Sequence, residues 1–278
     1  VGPQSVNFEL SDEQRQFRDS VSGFAERHLR DGALARAHAE AYPHDIARLM
    51  AAQKLFGLAL PESSGGQGGT LMDAVIAIEA VAAVCPRSAD VIQAGNFGPI
   101  RVLAEYADDG QRARFLAPLL AGDALIAVGM TEPEAGSAVT DLQTTATPDG
   151  DGFRINGSKV FTTHGFYADF ILAYVRFGPG VGGIGSVIVE KDAQGFSCGK
   201  PTRFLSGDEW TQLYFEDVYV DSEHVLLGPG GFKKQIAGFN VERIGNAARS
   251  LALGRYAYET ARSYALERQQ FGRPICEF

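Results

Sequence analysis

The sequence predicts an α+β multidomain chain: an N-terminal all-α domain, a middle β-barrel or sandwich domain, and the start of a C-terminal helical bundle. Three observations carry this reading. Apolar residues recur at helical spacing up to about residue 122. Short strand-like runs separated by Gly, Asp and Pro follow to about residue 229. The three-and-four spacing then returns and meets no proline before Pro274. The expected divisions are 1–122, 123–229 and 230–278, the last holding only the first long helix of a truncated bundle.

Each element has a local reason. Ser11-Asp-Glu-Gln14 is a capping box, a hydroxyl acceptor answered three residues later by a Gln. Phe17, Val21, Phe24, His28 and Leu29 then form one helical face. Ile46, Leu49, Met50 and Leu55 mark a second amphipathic stretch closed by Gly57. Residues 61–70 are a Gly/Ser-rich loop, and 71–84 are apolar nearly all round, as in a buried helix. Helices are expected over 91–106 and 109–121, and strands over 125–130, 153–156, 159–163, 170–176, 186–190 and 212–218. Asp149-Gly150-Asp151-Gly152 and Asn156-Gly157 both read as hairpin turns. Ile244, Ala247, Leu251, Gly254, Tyr258, Ala261 and Ala265 trace one face of a helix of about 35 residues, which other chain segments or another subunit must cover.

Composition narrows the function. At 278 residues, 45% hydrophobic and 21% charged, the chain is ordinary globular protein. A net charge of −9 with no basic cluster argues against nucleic acid as a partner. Cys85, Cys198 and Cys276 are scattered and form no CxxC pair, which predicts reduced thiols in an intracellular compartment. No basic segment followed by an apolar core marks a signal peptide. The longest apolar run, 74–85, contains Glu79 and is too short for a bilayer, so a soluble protein without a membrane partner is expected. His28, His38, His44, His164 and His224 show no metal-ligand spacing, and no GxSxG elbow supports a serine hydrolase. The Gly-rich run 178–185 lies between two strands with no helix behind it, so a hairpin is expected and not a phosphate cradle.

Three segments stand together in order: Val128-Gly-Met-Thr-Glu-Pro-Glu-Ala-Gly-Ser137, Asn156-Gly-Ser-Lys-Val-Phe-Thr-Thr-His-Gly165 and Tyr264-Ala-Leu-Glu-Arg-Gln-Gln-Phe-Gly-Arg-Pro274. Phe215-Glu-Asp-Val218 stands between the last two. In these motifs, and in its α–β–α order, nearly the whole chain resembles the acyl-CoA dehydrogenase family. The resemblance implies an FAD-dependent enzyme that dehydrogenates an acyl-CoA thioester at the α,β position. It also implies electron-transfer flavoprotein as electron acceptor, a homotetramer built as a dimer of dimers, and a role in fatty acid metabolism. The implied compartment is the cytoplasm, or the mitochondrial matrix in a eukaryote.

The resemblance also implies roles for particular residues. Met130 and Thr131 lie along the flavin, with Thr131 on its pyrimidine edge. Gly136 and Ser137 form the turn near the pyrophosphate, with Ser137 also on the substrate side. Thr163 bonds flavin N5, and Phe161 takes the place of the family's Trp behind the ring, keeping a flat apolar wall. Arg268 and Phe271 match the pair that reaches the FAD of a neighbouring subunit, where an Arg fork suits a diphosphate. Most members carry the catalytic base in the C-terminal part, but a minority carry it where this chain has Glu242. Spacing from Ile236 and Phe239 sets Glu242 beside the apolar face, where desolvation raises a carboxyl pKa. Read without the family, Glu242 is a solvated helix residue paired with Arg243 or Asn246. Asn240 and Arg243 match positions near the thioester. Gln93, Asn96 and Phe97 read first as core or helix-surface residues and second as the floor of the acyl pocket.

The sequence departs from the family pattern at Ala138, Phe161 and His164, and in the segment 205–211, which lacks the usual Arg. These departures keep two alternatives open: a non-catalytic partner subunit of a hetero-oligomer, and an oxygen-using flavin oxidase or monooxygenase on the same fold.

Overall fold

The computed structural model describes residues 9–205 and 207–278; Ser206, part of the segment 205–211, lies outside them. Helix α1 (Asp12–Leu29) begins at the expected capping box. The Gln14 N–H donates to Ser11 Oγ at 3.1 Å, and Gln14 Oε1 accepts from the Ser11 N–H at 3.0 Å. Val21, Phe24 and Leu29 are buried on its inner face, whereas His28 is exposed, with its ring 5.2 Å from that of Phe24. A short helix α2 (Ala33–His38) leads to α3 (His44–Ala52), which buries Ile46 and Met50. Helix α4 (Leu71–Ala82) is the buried centre of this part, capped by Thr70 and Asp73.

The stretch 91–106 is two helices, not one: α5 (Pro86–Ala94) and α6 (Pro99–Tyr106). The break has a local cause. Gly98 adopts φ +68, and Pro99, which has no N–H to donate, starts α6. Helices α7 (Asp109–Gln111) and α8 (Ala117–Leu120) are joined without interruption by a π turn at Arg112–Leu116.

The β part comprises β1 (Ile126–Gly129), β2 (Thr145–Asp149), β3 (Gly152–Thr163), β4 (Phe170–Arg176), β5 (Ile184–Glu190), β6 (Phe196–Cys198), β7 (Thr202–Arg203), β8 (Glu209–Asp221) and β9 (Val225–Leu227). The order is β6-β8-β3-β2-β4-β5-β9, with β1 also on β4 and β7 also on β8. The sheet does not close into a barrel. A single pair, Thr145 with Arg176, joins β2 to β4, so two sub-sheets face one another as in a sandwich.

Asp149 and Gly152 do flank a two-residue hairpin turn. Asn156-Gly157 is not a turn: β3 runs straight through it, and the ladder with β8 slips there as a bulge. The Asn156 side chain fills the slip by bonding Asp217 in both directions, and Gly157 sits at φ +147 against Thr144.

Helix α9 (Phe232–Glu267) has 36 residues, as its unbroken spacing predicts. Its buried positions are Gln235, Gly245, Ala248 and Ala252, and it packs on α4 and α5. Small residues admit the close approach: a Cβ on Gly245 would fall 2.9 Å from the Phe97 ring. The large residues of the expected face, Ile244, Leu251 and Tyr258, are exposed. Beyond α9, a small hairpin pairs β10 (Gln269–Gln270) with β11 (Arg273–Pro274). No helix among the described residues is long and apolar enough to cross a membrane.

Candidate functional site

Helices α5, α6 and α9 meet strands β1, β3 and β4 around one cleft of about 380 Å³, at the small end of the range for small-molecule sites. Its β wall carries Val128, Met130, Thr131, Val160, Phe161 and Thr163. The Val160 N–H donates to the Thr131 carbonyl at 2.8 Å, which ties the two threonine-bearing segments together. Behind this wall the fully buried Lys159 donates to Glu132 at 2.8 Å and to the Met130 carbonyl at 3.3 Å. Burial lowers Lys159 to about 8, against the pull of the Glu132 charge.

A second irregularity in β3, between Lys159 and Thr162, turns Phe161 into the cleft at φ +57. A side chain held in that region costs on the order of 1–3 kcal/mol and persists where the surroundings enforce it. Phe161 is 55% exposed, with its ring 4.7 Å from Trp210. One flat apolar face is therefore supported from behind and open in front.

The helical wall carries Glu242. Its Oε1 accepts from Gln93 Nε2 at 3.1 Å, and its buried Oε2 has no hydrogen-bond partner among the described residues. Burial raises the Glu242 pKa, with the Gln93 hydrogen bond, the Arg249 charge and the nearby Gly98 N–H opposing. The solvated reading is corrected: Arg243 bonds Asn240 at 2.8 Å and not Glu242, and Asn246 bonds Gln93. Gln93 and Phe97 also line the cleft. Asn96 is a core residue that bonds the backbone of Leu55, Leu58 and Ile92.

One end of the cleft is an ionic cluster that the sequence does not announce. His164 Nε2 lies 2.9 Å from Asp90 and its Nδ1 lies 3.3 Å from Glu209. Arg249 pairs with Asp90, and Arg87 reaches Asp208 at 2.8 Å. Burial alone lowers the histidine pKa, but the hydrogen bonds and charges of Asp90 and Glu209 outweigh it and raise His164 to about 9. Burial pushes Asp90 up, yet His164 and the arginines bring it down to about 2. The pair is thus ionised at neutral pH. The only sequence signal was the presence of His164 where the motif has Asn.

Of the sequence-derived candidates, the cleft gathers Met130, Thr131, Phe161, Thr163 and Glu242. Gly136 and Ser137 lie on the exposed turn after β1, and Asn240 and Arg243 lie on the exposed side of α9. Arg268 and the 94% exposed Phe271 follow the end of α9, roughly 38 Å along its axis from Glu242 at 1.5 Å per residue. The lining fits an isoalloxazine ring. The open Phe161 face and apolar Val128 and Met130 offer a flat wall, and Thr131 and Thr163 bring hydroxyl-bearing side chains to the same lining. The Glu242 carboxyl lines the same cleft from α9.

Three family profiles match the chain: acyl-CoA dehydrogenase, N-terminal domain, over 11–123; middle domain, over 127–218; and C-terminal domain, over 229–278. The chain is similar to the short-chain specific acyl-CoA dehydrogenase of Clostridium acetobutylicum. The two are 34% identical over 278 residues, covering 98% of this chain and 73% of the relative. Among solved structures it is similar to butyryl-CoA dehydrogenase from Megasphaera elsdenii, with a TM-score of 0.87, 30% identity, and coverage of 98% of this chain and 74% of that one. It is also similar to the FAD complex of PigA, with a TM-score of 0.86, 25% identity, and coverage of 98% and 73%.

Proposed function

The chain belongs to the acyl-CoA dehydrogenase family, and on that premise we propose that Glu242 removes the α-proton of an acyl-CoA thioester held in the cleft. FAD, when bound, supplies the acceptor for the β-hydride at N5. One observation carries the reading: Glu242 from α9 and the two motif threonines from the β side line a single cleft.

The residues divide the work. Phe161, Met130 and Val128 form the apolar seat of the ring, and Thr131 and Thr163 direct its polar edge. Glu242 faces the cleft with one oxygen outside the Gln93 bond and a pKa raised by burial, the direction a general base needs. The apolar lining from α6 and β4 excludes water from the proton being moved. Ser137, Gly136, Asn240 and Arg243 continue the site beyond the cleft mouth towards the longer parts of cofactor and substrate. Arg268 and Phe271 stand too far from Glu242 to serve the same cleft. They are assigned to that of a second subunit in a homotetramer, with electron-transfer flavoprotein as the electron acceptor.

The test is Glu242→Gln. Turnover with an acyl-CoA panel falls roughly 10²–10⁴-fold, the usual contribution of a positioned base, and substrate no longer bleaches the flavin absorbance. The variant still binds FAD. A variant that turns over at the wild-type rate removes Glu242 from the mechanism.

A further inference from the structure

We propose that Gln93 is a positioning residue for this reaction: from α5 it holds the Glu242 carboxylate in the orientation that faces the cleft. The proposal rests on the reading of Glu242 as the base.

Gln93 is buried, and its side-chain nitrogen makes two hydrogen bonds to α9, to Glu242 Oε1 at 3.1 Å and to Asn246 Oδ1 at 2.6 Å. A primary amide nitrogen has two hydrogens, so both are used. The flipped amide would set the Gln93 oxygen against the Glu242 carboxylate, which when ionised only accepts, so that partner selects the orientation. Asn246 lies one helical turn beyond Glu242 on the same face, and Gln93 is therefore pinned at two points of one ridge. Glu242 cannot swing away without leaving a buried amide hydrogen unpaired, which costs about as much as a lost hydrogen bond. The atoms left over are Gln93 Oε1 and Glu242 Oε2, both buried and without partners among the described residues. The clamp thus uses one carboxylate oxygen, and the other lies on the Gly98 side of the carboxyl, outside the clamp.

The same bond bears on acidity. An N–H donor to a carboxylate favours its charged form, so it opposes the upward push of burial. The other charges facing Glu242 are Arg249 on α9 and Asp90 on α5, with His164 at the end of β3 bonded to Asp90. Asp90 at about 2 and His164 at about 9 do not titrate between pH 5 and 8, so neither masks a shift of Glu242 there.

The experiment compares wild type, Gln93→Leu and Gln93→Glu by the pH profile of kcat. It also follows the ¹³C titration of labelled glutamate carboxyls, with Glu242 assigned from the Glu242→Gln spectrum. A hydrogen bond to a charged group is worth about one to two pH units, so the acid limb and the Glu242 titration of Gln93→Leu both move up by that amount. On the acid limb, below both pKa values, the variant's kcat drops about ten- to hundredfold against wild type, and it recovers as pH rises. Gln93→Glu moves further up, because two carboxyls then share the site. If Gln93→Leu fails to fold, Asn246→Ala, which removes the second anchor at an exposed position, shows a smaller shift in the same direction. A folded variant whose acid limb and Glu242 titration match wild type overturns the proposal. Should Glu242→Gln keep its turnover, the base reading falls first and the clamp falls with it. Should that variant be dead while Gln93→Leu titrates normally, only the clamp falls.

Discussion

His164→Asn puts the ionic cluster to the test and gives a result with a definite sign. Asparagine tolerates the φ of +59 that His164 adopts, so the change removes the charge without straining the backbone. The folded protein raises this imidazole from 6.5 to about 9. A group whose folded pKa lies above its unfolded value stabilises fully below the unfolded pKa and loses that stabilisation as pH rises through the folded one. The window is therefore pH 6.5 to 9. A shift of that size corresponds to about 3 kcal/mol at full strength, and the side chain is buried enough that solvent screening removes little of it. For a chain of this size that amounts to roughly 6–12 °C in Tm. Thermal melts of wild type at half-unit steps should show Tm falling across the window. His164→Asn should start lower by about that amount at pH 6.5 and stay nearly level to pH 9. A variant whose Tm falls as steeply as wild type over the same range would refute the assignment of a buried imidazolium.

Two further outcomes follow from the packing. Gly157→Ala sets a Cβ 2.5 Å from Thr144 Oγ1 at a φ of +147, and should destabilise by about 1–3 kcal/mol in urea titration. An unchanged midpoint would mean the bulge is not rigid. Lys159→Met strands the Glu132 carboxylate in the wall behind the threonines and should cost about 3–5 kcal/mol. Adding Glu132→Gln should return much of that loss, so a double variant no better than the single one would show that the ion pair is not the cause.

Sequence alone determined the parts whose physics is local. The capping box at Ser11 and Gln14, the 36-residue span of α9 and the helix–strand–helix order each depend on neighbours within a few residues, and each forms as read. The motif segments were legible because their order along the chain resembles a family, and the structure brings Thr131 and Thr163 into one cleft. Local signals misled where two structures share one cue. Asn-Gly suits a turn and a bulge alike, and only the partner strand with Asp217 decided for the bulge. Spacing marked an apolar face on α9 but not which face would be covered, because close approach to α4 and α5 selected Gly245, Ala248 and Ala252 over the larger residues. Tertiary structure alone set the chemistry of the site. Gln93 and Glu242 are 149 residues apart, and the partners of His164 come from α5 and β8. A carboxyl's acidity and an imidazole's charge depend on the dielectric and the charges within a few ångströms, and folding, not chain order, brings those neighbours together.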